Sequence, residues 1–141
     1  MGREGETYGE DSTLAAAMGS AYTRGIQKQG DGECRAESVA KHYMGFHQSE
    51  GGIHGTVCSI PERLLREVYG LPFQAAIAEE NLRGVMPCYC SIGGEPVSAS
   101  EHLLTQILRQ EMGFDGVAVA DYSAVSNVHH LSLIHISEPT R

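Results

Sequence analysis

The chain is short of cations. It has 10 Lys and Arg against 18 Asp and Glu, a net charge of −8 in 141 residues. A nucleic-acid surface needs clustered Lys and Arg, so that partner is excluded, and the acidity serves solubility. No apolar run approaches the roughly 20 residues of a membrane span, and no charged-then-apolar start marks a signal peptide. The four cysteines, Cys34, Cys58, Cys88 and Cys90, form no Cys-x-x-Cys pair and no zinc spacing. They read as free, buried thiols of a reducing compartment such as the cytoplasm. No cofactor is implied. There is no internal repeat and no low-complexity segment.

What is there is alternation. Leu14, Met18, Tyr22 and Ile26 recur at helical spacing after Asp11 or Ser12 as a cap, and Gly30 is a stop. Residues 38–42 are a short strand and 44–58 a loop rich in Gly and His. Ser59-x-x-Glu62 is a capping box with Pro61 early in the helix. That helix runs towards Asn81 and bends near Gly70 and Pro72. Val85 to Tyr89 is a strand, with Cys88 and Cys90 on one face of it. Gly93-Gly94-Glu95-Pro96 is a turn. A second capping box, Ser98-x-x-Glu101, opens a helix with Leu103, Leu104, Ile107, Leu108 and Met112 on its apolar face, ending at Gly113. Val117 to Ala120 is the last strand, read as buried on both faces. Single short strands alternating with helices predict an α/β fold with a parallel sheet.

Three strands end on chemistry. Lys41-His42, Tyr89 and Asp121 each fall at a C-terminal strand end, where parallel α/β folds gather their sites. A carboxylate, cations, an imidazole and an aromatic ring suit a sugar, with polar groups for hydroxyls and rings for its apolar face. Asp121 alone would more simply cap the next helix or begin a turn. Lys41 could be exposed, His42 a satisfied core histidine, Met86 core, and Arg3 a surface ion-pair partner.

The flanking residues decide. Gly113-Phe114-Asp115-Gly116, an apolar run, then Ala120-Asp121-Tyr122 resembles the nucleophile motif of glycoside hydrolase family 3, with Ala120 where Ser is usual. Gly2-Arg3-Glu4-Gly5-Glu6-Thr7-Tyr8-Gly9-Glu10-Asp11, Ala40-Lys41-His42-Tyr43, Ser49-Glu50-Gly51-Gly52, residues 59–69 and Val85-Met86-Pro87-Cys88-Tyr89-Cys90 match the same family in order. The resemblance spans residue 2 to about residue 130. It implies a (β/α)8 barrel, which at about 250 residues this chain is too short to close. Residues 1–130 then form part of the barrel domain, with open sheet edges. Residues 131–141 resemble a translated sequencing adapter and are set apart as a non-native tail. Met1 stands where the family often has Trp, so the start reads as internal.

The resemblance also assigns roles. Asp121 is the nucleophile of a retaining double displacement on β-glucosides or β-xylosides, with a β-linked oligosaccharide or aryl glycoside as substrate. Lys41 and Arg3 are expected to keep it ionised. Arg3, Lys41 and His42 match residues that hydrogen-bond the sugar, Met86 and Tyr89 line its subsite, and Tyr122 stacks at the mouth. The acid/base Glu lies on a later domain in most of the family, so the isolated chain is expected to be inactive. One branch, acting on N-acetylglucosamine, uses a loop His near the position of His54. Here Gly52 replaces its partner Asp and Met44 the Pro after the Lys-His pair, so His54 reads as a loop residue. A non-catalytic remnant of a truncated gene is the remaining alternative. His47 and the His129-His130 pair have no ligand spacing, so no metal is expected. Sugar, linkage and oligomeric state are left open by the sequence.

Overall fold

The computed structural model describes residues 2–28, 36–124 and 126. Cys34, the His129–His130 pair and the 131–141 segment lie outside the described residues. Helix α1 (Ser12–Gln27) opens where Asp11 accepts hydrogen bonds from the backbone N–H groups of Thr13 and Leu14, at 2.7 and 3.1 Å. That satisfies two of the orphan donors of the first turn. Strand β1 (Val39–Tyr43) follows, then a loop with two short 3-10 turns and strand β2 (Val57–Cys58). Helix α2 (Glu62–Leu64) continues into a wide turn, Leu65–Tyr69, whose close is the 2.6 Å bond from Gly70 N to the Leu65 carbonyl.

Helix α3 (Leu71–Glu80) ends on Asn81 in the left-handed conformation, φ 54°. Asn81 and Leu82 N–H groups bond back to the Ile77 and Ala76 carbonyls, a left-handed cap wound one residue wider than usual, with Asn where Gly is commoner. Strand β3 (Gly84–Pro87), the hairpin β4 (Ser91–Ile92) and β5 (Glu95–Pro96), helix α4 (His102–Glu111) and strand β6 (Val117–Ala118) complete the order. Helix α4 is wound wide at its end, with Met112 N bonded to the Ile107 carbonyl.

The main sheet is parallel with order β1-β3-β6. Val39 pairs with Gly84 and Lys41 with Met86, while Gly84 pairs with Val117. The register breaks between Lys41 and Tyr43. A second small sheet, β2-β4-β5, carries the loop ends. The core lies between the main sheet and α3 and α4, around Tyr43, Leu65, Leu82, Val85, Leu103, Ile107, Leu108 and Phe114. Each such side chain contributes about 1.5–3 kcal/mol relative to exposure. The Tyr43 hydroxyl donates to the Leu103 carbonyl at 2.9 Å, so the one polar atom this ring brings inside is satisfied.

Five expectations are corrected. The stripe Leu14, Met18 and Tyr22 of α1 is exposed, and the buried face is Ala16, Ser20, Thr23 and Gln27. Small and polar residues win because α1 docks on α3 through them. Gln27 donates to the Glu80 and Asn81 carbonyls and accepts from Ser38 N and Arg83 N, while Arg24 and Lys28 grip the Glu80 carboxylate. The two capping boxes do not form. Ser59 donates to Glu50 at 3.0 Å, and Ser98 donates to the Ala124 carbonyl, leaving Ser100 to accept from Leu103 N. Strand β6 is not buried on both faces, since it pairs only with β3 among the described residues and Val117 is 66% exposed. Cys88 and Cys90 lie beyond the end of β3, buried, with their thiols directed at the carbonyls of Met44 and Phe46. The short strands β2, β4 and β5 fall where only loop and turn were expected.

Candidate active site

Three parallel strands bring their C-terminal ends together. The His42 side chain leaves β1, Tyr89 lies two residues past β3, and Asp121 lies three residues past β6. His42 Nε2 stands 3.5 Å from Asp121 Oδ2, with 6% of the imidazole and 12% of the carboxylate side chain exposed. The Tyr89 hydroxyl hydrogen-bonds Asp121 and accepts from Ser123 N at 3.2 Å. Asp121 Oδ1 accepts from Tyr122 N at 2.8 Å.

These contacts fix the protonation. Burial pushes the Asp121 carboxyl up, but the Tyr122 N–H, the Tyr89 hydroxyl and the charges of His42 and Arg3 together outweigh it, and the net shift is downward. Burial pushes His42 down, helped by Lys41 and Arg3 and opposed by Asp121 and Glu6. At neutral pH the pair is therefore a carboxylate beside a neutral imidazole.

Arg3 and Lys41 meet on Glu6, a residue the sequence reading passed over although it sits inside the Gly-Arg-x-x-Glu motif. Arg3 makes a two-point contact with Glu6 at 2.5 and 2.7 Å, and Lys41 Nζ reaches Glu6 Oε2 at 3.1 Å. The two cations hold the Glu6 carboxyl at about 2. Arg3 thus acts on Asp121 through space, while Lys41 is turned to Glu6 and is 47% exposed. Met86 is half-buried within β3, in register with Lys41. Tyr122 is fully exposed.

Phe46 was also missed. Its buried ring touches His42, His47 and His54 at centroid distances of 4.8, 4.9 and 5.0 Å, and the Arg3 guanidinium lies over its face at 4.8 Å. His54 in turn meets Tyr89 at 4.6 Å, so this loop histidine borders the site. A cleft of about 1080 Å³ runs along the open flank of β1, from Glu6 and Lys41 past His42 and Phe46 to Tyr22 and Phe73. Asp121 does not line this cleft and meets it only through His42. Among the described residues no group of three or more His, Cys, Asp or Glu is placed to hold a metal ion.

A buried carboxylate held ionised at a parallel strand end, flanked by imidazole, phenol and guanidinium, has the makings of a nucleophilic sugar site. Comparison with known proteins gives the same direction. The chain matches the model of the Glycosyl hydrolase family 3 N terminal domain over residues 1–136, which runs into the segment after residue 130. It is 39% identical over 136 residues to a β-xylosidase of Formosa agariphila, covering 94% of this chain and 19% of that protein. It is 37% identical over 121 residues to a β-glucosidase of Rhizobium radiobacter, covering 86% of this chain and 14% of that protein. A solved β-glucosidase from Erythrobacter marinus superposes with a TM-score of 0.85 at 33% identity, over 92% of this chain and 18% of that one. A β-glucosidase from Listeria innocua in complex with gluconolactone gives 0.80 at 27% identity, over 90% and 18%. The chain thus spans a fifth or less of the length of these relatives. It belongs to glycoside hydrolase family 3, and its parallel sheet and flanking helices are part of that family's N-terminal barrel.

Proposed function

We propose that the protein carrying this chain is a retaining β-glycosidase that removes terminal non-reducing β-D-glucosyl or β-xylosyl units from oligosaccharides or aryl glycosides. The observation that carries the reading is Asp121, nearly buried yet held ionised by the Tyr122 N–H, the Tyr89 hydroxyl and Arg3, with His42 beside it. Its carboxylate oxygen attacks the anomeric carbon, the bond to the leaving oxygen breaks, and a glycosyl ester forms. Water then attacks the same carbon, which releases Asp121 and restores the original anomeric configuration.

A retaining pair needs a second carboxyl about 5–5.5 Å from the first, protonated at the outset. We assign that group to the remainder of the full-length enzyme, and the isolated chain is expected to be inactive. In this reading Arg3, Lys41 and His42 hold sugar hydroxyls, Met86 and Tyr89 line the cleavage subsite, and Tyr122 covers its mouth. The barrel portion is assigned to residues 1–130.

His54 beside Tyr89 favours a second reading, action on β-N-acetylglucosaminides with His54 as acid/base. Gly52 supplies no orienting carboxylate, and the first reading is preferred. In the full-length enzyme, Asp121→Ala is expected to abolish turnover of aryl β-glucosides and β-xylosides. Added azide or formate should partly restore it and give a product of inverted configuration. An Asp121→Ala enzyme with near-normal rates and retained configuration would place the nucleophile elsewhere. Faster turnover of aryl N-acetylglucosaminides than glucosides, lost in His54→Ala, would select the second reading.

A further inference from the structure

We infer that Phe46 is a positioning residue whose ring holds Arg3, His42 and, through His54, the Tyr89 ring in the places from which they act on Asp121. The inference rests on Asp121 as nucleophile and asks what keeps its surroundings in register. The groups that face Asp121 come from separate pieces of chain: Arg3 from the N-terminal segment, His42 from β1, and Tyr89 from the segment after β3. Arg3 is backed by Glu6, which also holds Lys41. Among the described residues no strand pairing ties the N-terminal segment or the His54 loop to β6.

Phe46 supplies that tie. It is 4% exposed, and four of its neighbours are cationic or imidazole groups rather than aliphatic ones. An aromatic face is electron-rich and its edge electron-poor. It therefore orients the Arg3 guanidinium above it, His47 and His54 edge-on beside it and His42 tilted against it, which an aliphatic side chain of equal volume does not.

The ring itself is rigidly mounted. Gly45 before it has φ 77°, and a Cβ there would meet Ile60 Cδ1 at 2.5 Å, so any other residue would strain that turn. Buried thiols of Cys88, Cys58 and Cys90 point at the carbonyls of Met44, Gly45 and Phe46 in turn, at 3.3, 3.4 and 3.8 Å. The Ser49 hydroxyl adds a bond to the Phe46 carbonyl at 3.3 Å. The loop is thus fastened from behind, and the ring faces the charged groups in front.

The test uses the full-length enzyme and the pH dependence of kcat/KM, whose acidic limb reports the free enzyme's nucleophile. Phe46→Leu keeps apolar volume and removes the aromatic face. It is expected to lower kcat/KM roughly tenfold and to move the acidic limb to higher pH, as Arg3, His42 and Tyr89 relax away from Asp121. Phe46→Tyr, which keeps the face, should restore the limb. His54→Leu, at an exposed loop position, should move it in the same direction by less, and it serves as the test if Phe46→Leu does not fold. A limb that stays in place in either variant, whatever happens to the rate, overturns the inference while Asp121→Ala remains inactive. An active, retaining Asp121→Ala enzyme would instead overturn the nucleophile reading, and this inference with it.

Discussion

His42 Nε2 and Asp121 Oδ2 lie 3.5 Å apart across the ends of β1 and β6, two strands that do not touch each other because β3 lies between them. The contact spans a whole strand, so the tilt of all three strands sets it. The ionisation of Asp121 accordingly draws on the other strand ends as well as on the Tyr122 N–H of its own loop.

That contact fixes a pH dependence. If Asp121 is the nucleophile proposed above it must be ionised to attack, and its carboxyl lies below its ordinary 3.8 because the Tyr122 N–H, Tyr89, His42 and Arg3 outweigh the opposing effect of burial. The acidic limb of kcat/KM should therefore fall below 3.8 in the full-length enzyme, measured in brief pH jumps. Tyr89→Phe should raise it. A limb above 3.8 in the unaltered enzyme would contradict the assignment of Asp121's surroundings.

Glu6 predicts a different signature. It holds Arg3 and Lys41 together without touching Asp121, and its carboxyl at about 2 stays charged across the working range. Glu6→Gln frees both cations to wander. We expect KM for an aryl glucoside to rise by up to about tenfold with kcat less affected, the pattern of lost sugar binding. A fall in kcat with KM unchanged would show that Glu6 works on the chemical step instead.

Two ion pairs remote from the site give opposite pH trends in stability. Lys28 and Arg24 hold the Glu80 carboxyl below its ordinary 4.5. This contribution is present above 4.5 and is lost as pH falls through the lowered value. Gln106 and Glu62 raise His102 above its ordinary 6.5. This contribution is present below 6.5 and is lost as pH rises through the raised value. The thermal midpoint of Glu80→Gln should trail the unaltered protein at neutral pH and converge with it in acid. That of His102→Gln should trail at pH 6 and converge in alkali. Gaps that do not change with pH would show that packing, not charge, makes both contributions.

Gly116 predicts a backbone effect. A Cβ there would sit 2.2 Å from the Arg83 carbonyl oxygen and 2.7 Å from its carbon, and neither can swing aside. Gly116→Ala should destabilise by about 1–3 kcal/mol, as overpacking does, and should weaken the pairing of β6 with β3. Amide exchange at Val117 and Val119, whose N–H groups bond to the Arg83 and Val85 carbonyls, reads this directly. Unchanged protection at both would refute it.

How much of this was legible beforehand follows from the range of each interaction. Strands β1, β3 and β6 and the place of Asp121 could be read because short apolar runs between turn residues carry their own signal. The helix of α4 and its buried Leu103, Ile107, Leu108 and Met112 were readable from periodicity. The buried face of α1 was not, because Gln27 finds its partners more than fifty residues away at Glu80 and Asn81. Serines 59 and 98 carry a cap pattern but spend their hydroxyls on Glu50 and Ala124. Glu6 and Phe46 escaped in part for the same reason: Glu6 reaches Lys41 and Phe46 reaches Arg3 only through the fold, although Glu6 also pairs locally with Arg3 and Phe46 lies against its neighbours His42 and His47.

Gly84 and Gly116 stand at the entry ends of β3 and β6, opposite the chemistry. A methyl on Gly84 would meet Val39 Cγ2 at 2.7 Å, as one on Gly116 would meet Arg83. The strands are therefore nested at their base to within the space of single hydrogens, and each works as a lever on that fulcrum. Pushing one base outward tips its far end, where the His42 imidazole and the Asp121 carboxylate stand 3.5 Å apart. For anyone wishing to retune this site without altering the side chains at the strand ends, the handle lies at the floor of the barrel.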